Sequence, residues 1–271
     1  MDRRPIGVFD SGLGGLTAVR QLMEQLPGED IIYFGDTGRV PYGTRSHETV
    51  LKYTRQDIGF LLTFDIKAIL IACNTADTVA GDTVRMEYAL PICGALRPAA
   101  NRAAETTRNK KIGIIGTNAT VRAGAYNTIL RELDPGIQVR SVACPLLVPL
   151  VENHRYRPGD RAVELIAGEY LEPLKDWGCD TLVLGCTHYP LLWDVIAAYM
   201  GPDVTLINSG REAARALAET LREGELLSGK TEGGTCKYYV SDSTEGFSEM
   251  ASLFLQREVG DLVEQIDIER Y

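Results

Sequence analysis

Short apolar runs alternate with amphipathic stretches along most of this chain. Residues 5–9 read as a strand, and the spacing over 16–26 predicts a helix ended by Pro27-Gly28. A second strand is expected over 31–34, a helix over 48–64, and a third strand over 67–72. A helix over 77–88 and a short strand over 91–93 follow. This rhythm of buried strand and amphipathic helix implies an α/β fold with a mainly parallel sheet covered on both faces.

The rhythm then restarts. Lys111-Ile112-Gly113-Ile114-Ile115-Gly116-Thr117 resembles Ile6-Gly7-Val8-Phe9-Asp10-Ser11, with Ile112 106 positions after Ile6, and Cys186 follows Cys73 by 113. A nearly constant offset is what a duplicated unit with small insertions produces. Two similar α/β lobes related by pseudo-two-fold symmetry are therefore expected. Residues 94–98 form the first crossing and Asn208-Ser209-Gly210 the return. The lobes are then 1–97 with 208–271, and 98–207. After the return, a helix is expected over 211–222 and a glycine-rich surface loop over 223–234. Residues 237–240 alternate like an edge strand, and a helix over 243–255 has Ser243 as its N-cap and Glu245 in its first turn.

At 271 residues the chain is long enough to bury a real core. The net charge of −9 and the absence of a basic stripe argue against nucleic acid as the main partner. No apolar run approaches membrane-spanning length and no signal peptide is visible, so a cytoplasmic protein without membrane partners is expected. The six cysteines form no Cys-x-x-Cys pair. Cys93, Cys144, Cys179 and Cys236 read as small buried hydrophobes.

Cys73 and Cys186 differ in their surroundings. Ala68-Ile69-Leu70-Ile71 runs into Ala72-Cys73-Asn74-Thr75, and Thr181-Leu182-Val183-Leu184 runs into Gly185-Cys186-Thr187-His188. Each places a thiol at the C-terminal end of a buried strand, where open α/β sheets bind ligands. A following helix N-terminus would favour the thiolate. Two such thiols suggest matched chemistry on opposite faces of one substrate, and racemisation belongs to that class. Asp10-Ser11-Gly12-Leu13-Gly14-Gly15 follows the first strand and would let backbone approach a ligand. Gly12-x-Gly14 also fits part of a dinucleotide fingerprint, with Asp36 placed as a ribose-binding acid, but Thr17 occupies the third glycine position. A nucleotide-dependent oxidoreductase and a two-lobed solute-binding protein thus stay open. Pro41-Tyr42-Gly43 alone reads as a turn or a buried tyrosine, and Glu152 alone as an acid at a strand end or in a loop. His188 could assist Cys186, whereas His47 and His154 fall in polar loops. No third and fourth ligands at matching spacing make Cys186 and His188 a metal site.

Taken together, Phe9 through Thr17, Pro41-Tyr42-Gly43, Ala72-Cys73-Asn74-Thr75, Leu184 through Leu191, and Ser209-Gly210-Arg211-Glu212 resemble the glutamate racemases of the aspartate/glutamate racemase family. The resemblance implies two α/β lobes with the active site in the cleft between them. It also implies cofactor-independent interconversion of L- and D-glutamate, supplying D-glutamate for peptidoglycan, by a homodimer. Cys73 and Cys186 would be the two acid/base residues, assisted by Asp10, His188 and Glu152. Asp10, Ser11, Pro41, Tyr42, Gly43, Asn74, Thr75, Thr187 and His188 would hold the substrate. The sequence departs from the family pattern at Asp77, where a small residue such as serine is expected, and at Asn208, where an acid is common.

Overall fold

Ten strands and eleven helices alternate along the described residues of the computed structural model, 1–259 and 263–271. They run β1 (Ile6–Asp10), α1 (Leu16–Gln25), β2 (Ile31–Gly35), α2 (His47–Leu61), β3 (Ala68–Ile71), α3 (Asn74–Glu87), β4 (Ile92–Gly94) and α4 (Leu96–Thr106). Next come β5 (Lys111–Gly116), α5 (Asn118–Ala123), α6 (Ala125–Leu133), β6 (Gln138–Ala143), α7 (Leu147–Glu152), α8 (Arg161–Trp177), β7 (Thr181–Gly185), α9 (Trp193–Met200) and β8 (Thr205–Asn208). The chain closes with α10 (Ser209–Glu223), β9 (Cys236–Val240), α11 (Phe247–Leu255) and β10 (Val263–Gln265).

The strands form two parallel sheets. The six-stranded sheet has the order β10-β9-β2-β1-β3-β4, and the four-stranded sheet β6-β5-β7-β8. The shared arrangement β2-β1-β3-β4 and β6-β5-β7-β8 makes β3 and β7 counterparts, and the two candidate thiols follow those two strands. This equivalence supports the duplication read from the sequence. Every residue of β1, β3 and β7 is buried, as expected for central strands covered on both faces. One apolar core runs under α1, α8, α10 and α11; two others lie beneath α2 and α3, and between α4, α6 and the second sheet.

The early strands fall within a residue of their predicted bounds, while the second helix ends three residues early and the third starts three residues early, at ends where assignments vary. Four readings are corrected. β9 is internal, because the three-residue β10 pairs with its outer side; that strand is too short to show a period. The last helix starts at Phe247 with Gly246 at φ 71° before it, while Ser243 Oγ accepts from Glu245 N in the preceding turn. Residues 147–152 form helix α7, so Glu152 ends a helix and not a strand or loop. His47 is the first residue of α2, behind the Ser46 cap, whereas His154 does lie in a turn. Among the described residues no helix is long and apolar enough to cross a membrane.

We take residues 1–97 with 208–271, and 98–207, as the two lobes. The helix α4 after the first crossing packs on α6, β7 and β8 of the second lobe, and α10 packs against both α1 and α4.

Candidate active site

A cleft opens at the C-terminal ends of β1, β3 and β7, between the lobes. Ser11, Pro41, Tyr42, Gly43, Cys73, Asn74 and Thr75 line it from the first lobe, and Glu152, Cys186, Thr187 and His188 from the second. Asp10 lies behind this wall, almost fully buried. Thr117 and Val148 also line the cleft; sequence reasoning missed them because neither sits in a motif.

Cys73 is the N-cap of α3. Its sulfur accepts from Ala76 N at 3.5 Å and lies 3.4 Å from Ser11 Oγ. A helix N-terminus was expected to favour the thiolate, but burial dominates. Burial and the nearby Asp10 charge push this thiol up to about 12, against the hydrogen bonds from Ser11 and Ala76. Burial also raises Asp10, opposed by His188 and by the backbone N–H groups of Gly15, Gly12 and Ser11. Asp10 Oδ2 accepts from Gly12 N at 3.1 Å, while Oδ1 is buried without a partner.

Cys186 has a different helper. Between it and α9 lies a 3-10 turn over Tyr189–Leu192, so no α-helix starts directly at this thiol, another departure from expectation. Its neighbour is the His188 ring, with Nδ1 3.9 Å from the sulfur and Nε2 3.0 Å from Glu152 Oε1. Burial alone would lower this imidazole; contact with Cys186 and Glu152 outweighs it and raises the ring to about 10. The ring therefore carries its proton at neutral pH. The edge of Phe254 in α11 meets it at 5.2 Å and 87°, a contact made by the far end of the chain that no local motif announces.

The glycine turn serves a purpose other than phosphate binding. A Cβ at Gly14 would collide with Thr187 Oγ1 and His188 Nδ1, so the missing side chain admits the second lobe. Thr17 Oγ1 donates to Thr187 O at 2.9 Å and closes the same seam. Asp36 is equally unavailable to a ribose, because Arg39, Tyr42 and Ser241 already occupy its oxygens.

Tyr42 is a buried tyrosine and a cleft residue at once. Its hydroxyl lies against Asp36 and 2.8 Å from Asp57 Oδ2, and Arg39 bridges both acids. A phenol has one hydrogen and cannot donate to two carboxylates. Burial and the Asp36 charge hold Asp57 well above the usual carboxylate range. Asp57 is thus the protonated partner that donates to Tyr42, and Tyr42 donates to Asp36.

Asn74 spends its amide on both lobes. Nδ2 donates to Ser209 Oγ of its own lobe at 3.0 Å, and Oδ1 accepts from Tyr126 of the other at 2.9 Å. Thr75 Oγ1 lies 3.0 Å from Thr117 Oγ1. The N–H groups of Asn74 and Thr75, in the first turn of α3, have no intrahelical acceptor and suit a carboxylate. Among the described residues no group of three or more His, Cys, Asp or Glu side chains could hold a metal ion.

This two-lobed parallel α/β fold has counterparts among known proteins. The family profile described as Asp/Glu/Hydantoin racemase matches residues 6–217, and the chain belongs to that family. A glutamate racemase of Geobacter metallireducens is 45% identical over 269 residues, covering 99% of this chain and 98% of its own. The crystal structure of glutamate racemase isoform RacE1 from Bacillus anthracis aligns with a TM-score of 0.92 at 37% identity, covering 98% of each chain. Glutamate racemase from Francisella tularensis in complex with D-glutamate aligns at 0.91 and 39% identity over 100% of both chains.

Proposed function

We propose that this protein interconverts L- and D-glutamate without a cofactor, by moving protons between Cα and the two thiols. One observation carries the reading: Cys73 and Cys186 follow equivalent strands of the two lobes and line one cleft. The Francisella structure, bound to D-glutamate, supports the choice of substrate.

In the reaction one thiolate takes the α-proton from one face, leaving the electron pair on Cα and the adjoining carboxylate. The thiol of the other lobe then delivers its proton to the opposite face and becomes the thiolate. The next turnover of the same enantiomer requires both sulfurs to be reset through solvent. Ser11 and the free N–H groups at the start of α3 hold the substrate carboxylate and stabilise the charge that develops on it. Gly43 and Thr187 complete the contacts from the two walls.

The two sulfurs have different surroundings. An imidazolium lies beside Cys186 and stabilises negative charge there, while burial and Asp10 keep Cys73 a neutral thiol. The imidazolium suits Cys186 to the enantiomer whose α-hydrogen faces it. For the other enantiomer, the substrate ammonium entering beside Cys73 supplies the missing positive charge and offsets the Asp10 carboxylate behind the wall. The Glu152 carboxylate orients and charges His188. The reading carries with it a cytoplasmic homodimer that supplies D-glutamate to peptidoglycan.

Circular dichroism of L-glutamate incubated with the purified protein tests this, with L-aspartate as the competing substrate. The rotation of glutamate should decay to zero in wild type and persist in C73A and C186A. Product formed in D2O should carry deuterium at Cα. Near-full racemisation by either single variant would overturn the two-thiol mechanism, and decay with aspartate alone would overturn the substrate.

A further inference from the structure

Several buried carboxylates take no part in the site, and one of them touches the crossing between the lobes. Asp77 lies one turn along α3 from Asn74, with its side chain fully buried. One oxygen, Oδ2, accepts from the backbone N–H of Leu96 at 2.7 Å. Leu96 is the first residue of α4, and its helix has no capping bond from its own N-cap side chain. The other oxygen pairs with Arg85, whose Nε donates to Ile92 O at 3.1 Å on β4. Space for the carboxylate comes from two glycines: a Cβ at Gly94 or at Gly81 would collide with it.

These contacts join the two halves of the site from behind. The helix α3 begins at Cys73. The helix α4 packs on β7, the strand that ends at Cys186. The crossing between them, residues 94–98, is held at its start by this carboxylate together with the pairing of Gly94 on β3.

We propose that Asp77 is a positioning residue: by capping α4 and pairing with Arg85 it clamps the first inter-lobe crossing and sets the separation of the Cys73 and Cys186 sulfurs across the cleft. The inference rests on the two-thiol reading. Substrate is held by groups close to each sulfur, so loosening the clamp leaves binding largely intact. What suffers is delivery, because a carbanion formed by one thiolate now sits too far from the thiol on the other side. The proton then returns from the side it left, after exchange with solvent.

The test is D77N, which keeps the shape and one acceptor but removes the charge that holds Arg85. R85Q is the companion variant, since that side chain is 31% exposed and its loss is less disruptive to the core. A displacement of 1 Å at a reacting atom costs up to about a hundredfold in rate. In both directions kcat should fall about tenfold or more, with KM within about twofold. In D2O, deuterium found in unreacted substrate per inversion should rise at least about threefold, the signature of one-sided proton return. A variant that merely loses folded protein loses exchange and inversion in parallel. That parallel loss, or an unchanged kcat, in whichever variant folds would overturn the proposal. Wild type, C73A and C186A run beside them: if either thiol variant still racemises, the site reading fails first, independently of Asp77.

Discussion

Replacing Asp10 with asparagine should make Cys73 more acidic, and the size of the effect follows from the buried geometry. With Cys73 pushed up to about 12, only roughly one molecule in 10⁵ carries that thiolate at pH 7. Two causes hold it there, burial first and the Asp10 charge second. D10N leaves the burial and removes the charge, and a like charge at such range changes acidity by about tenfold to a thousandfold. Asparagine has the same shape, and its Oδ1 can keep the bond from Gly12 N. The assay is alkylation by iodoacetamide between pH 6 and 10, with Cys73 and Cys186 peptides resolved by mass spectrometry. In wild type the Cys186 peptide should be modified well before the Cys73 peptide at pH 7. In D10N the Cys73 rate should rise at least about tenfold, with Cys186 changed far less. Identical Cys73 profiles in the two proteins, or a wild-type midpoint near the ordinary thiol value of about 8.5, would refute the electrostatic account.

Three other outcomes are expected. His188 is raised from 6.5 to about 10, so its stabilisation is complete below about 6.5 and is lost as pH rises through about 10; the stability advantage of wild type over H188N, from urea melts, should shrink across that window. D57N should be nearly silent in kcat/KM, because an amide can donate to Tyr42 and accept from Arg39 as the protonated acid does; a loss beyond about tenfold would mean that Asp57 is ionised. Glu29 and Lys67 form a buried ion pair behind the first sheet, so E29A strands a buried ammonium and should cost about 3–5 kcal/mol in denaturant melts; a cost below about 1 kcal/mol would show that the Asp2 carbonyl, 2.8 Å from the lysine, suffices.

The parallel sheets were legible in the sequence because β1, β3 and β7 are buried on both faces and read as continuous apolar runs. The thiols were legible because each follows such a run. What escaped depended on partners distant in the chain. Gly14 was read as making room for a ligand, and its neighbours proved to be Thr187 and His188 from the other lobe. Asp36 matched a ribose-binding acid by position, and tertiary contacts with Arg39, Tyr42 and Ser241 consume it. Thr117, Val148 and Phe254 reach the site from α5's cap, α7 and α11, whose local patterns speak only of helix. The acidity of Cys73 was misjudged because a helix N-terminus is visible in sequence and full burial of a sulfur is not.

The order in which the strands are joined has a consequence for synthesis on the ribosome. Ile31 of β2 pairs with Cys236 of β9, so the first strands made wait for a neighbour encoded 205 residues later. At about 5–20 residues per second that wait is roughly 10–40 s. The four strands of the second sheet all fall between Lys111 and Asn208 and can pair as soon as they emerge. The lobe that emerges first is therefore the last to close, and until it does, β2 presents an open edge to any passing strand. The same late segment brings Phe254 against His188, so a nascent chain stalled before α11 holds both sulfurs and lacks the packing that seats the imidazolium beside one of them.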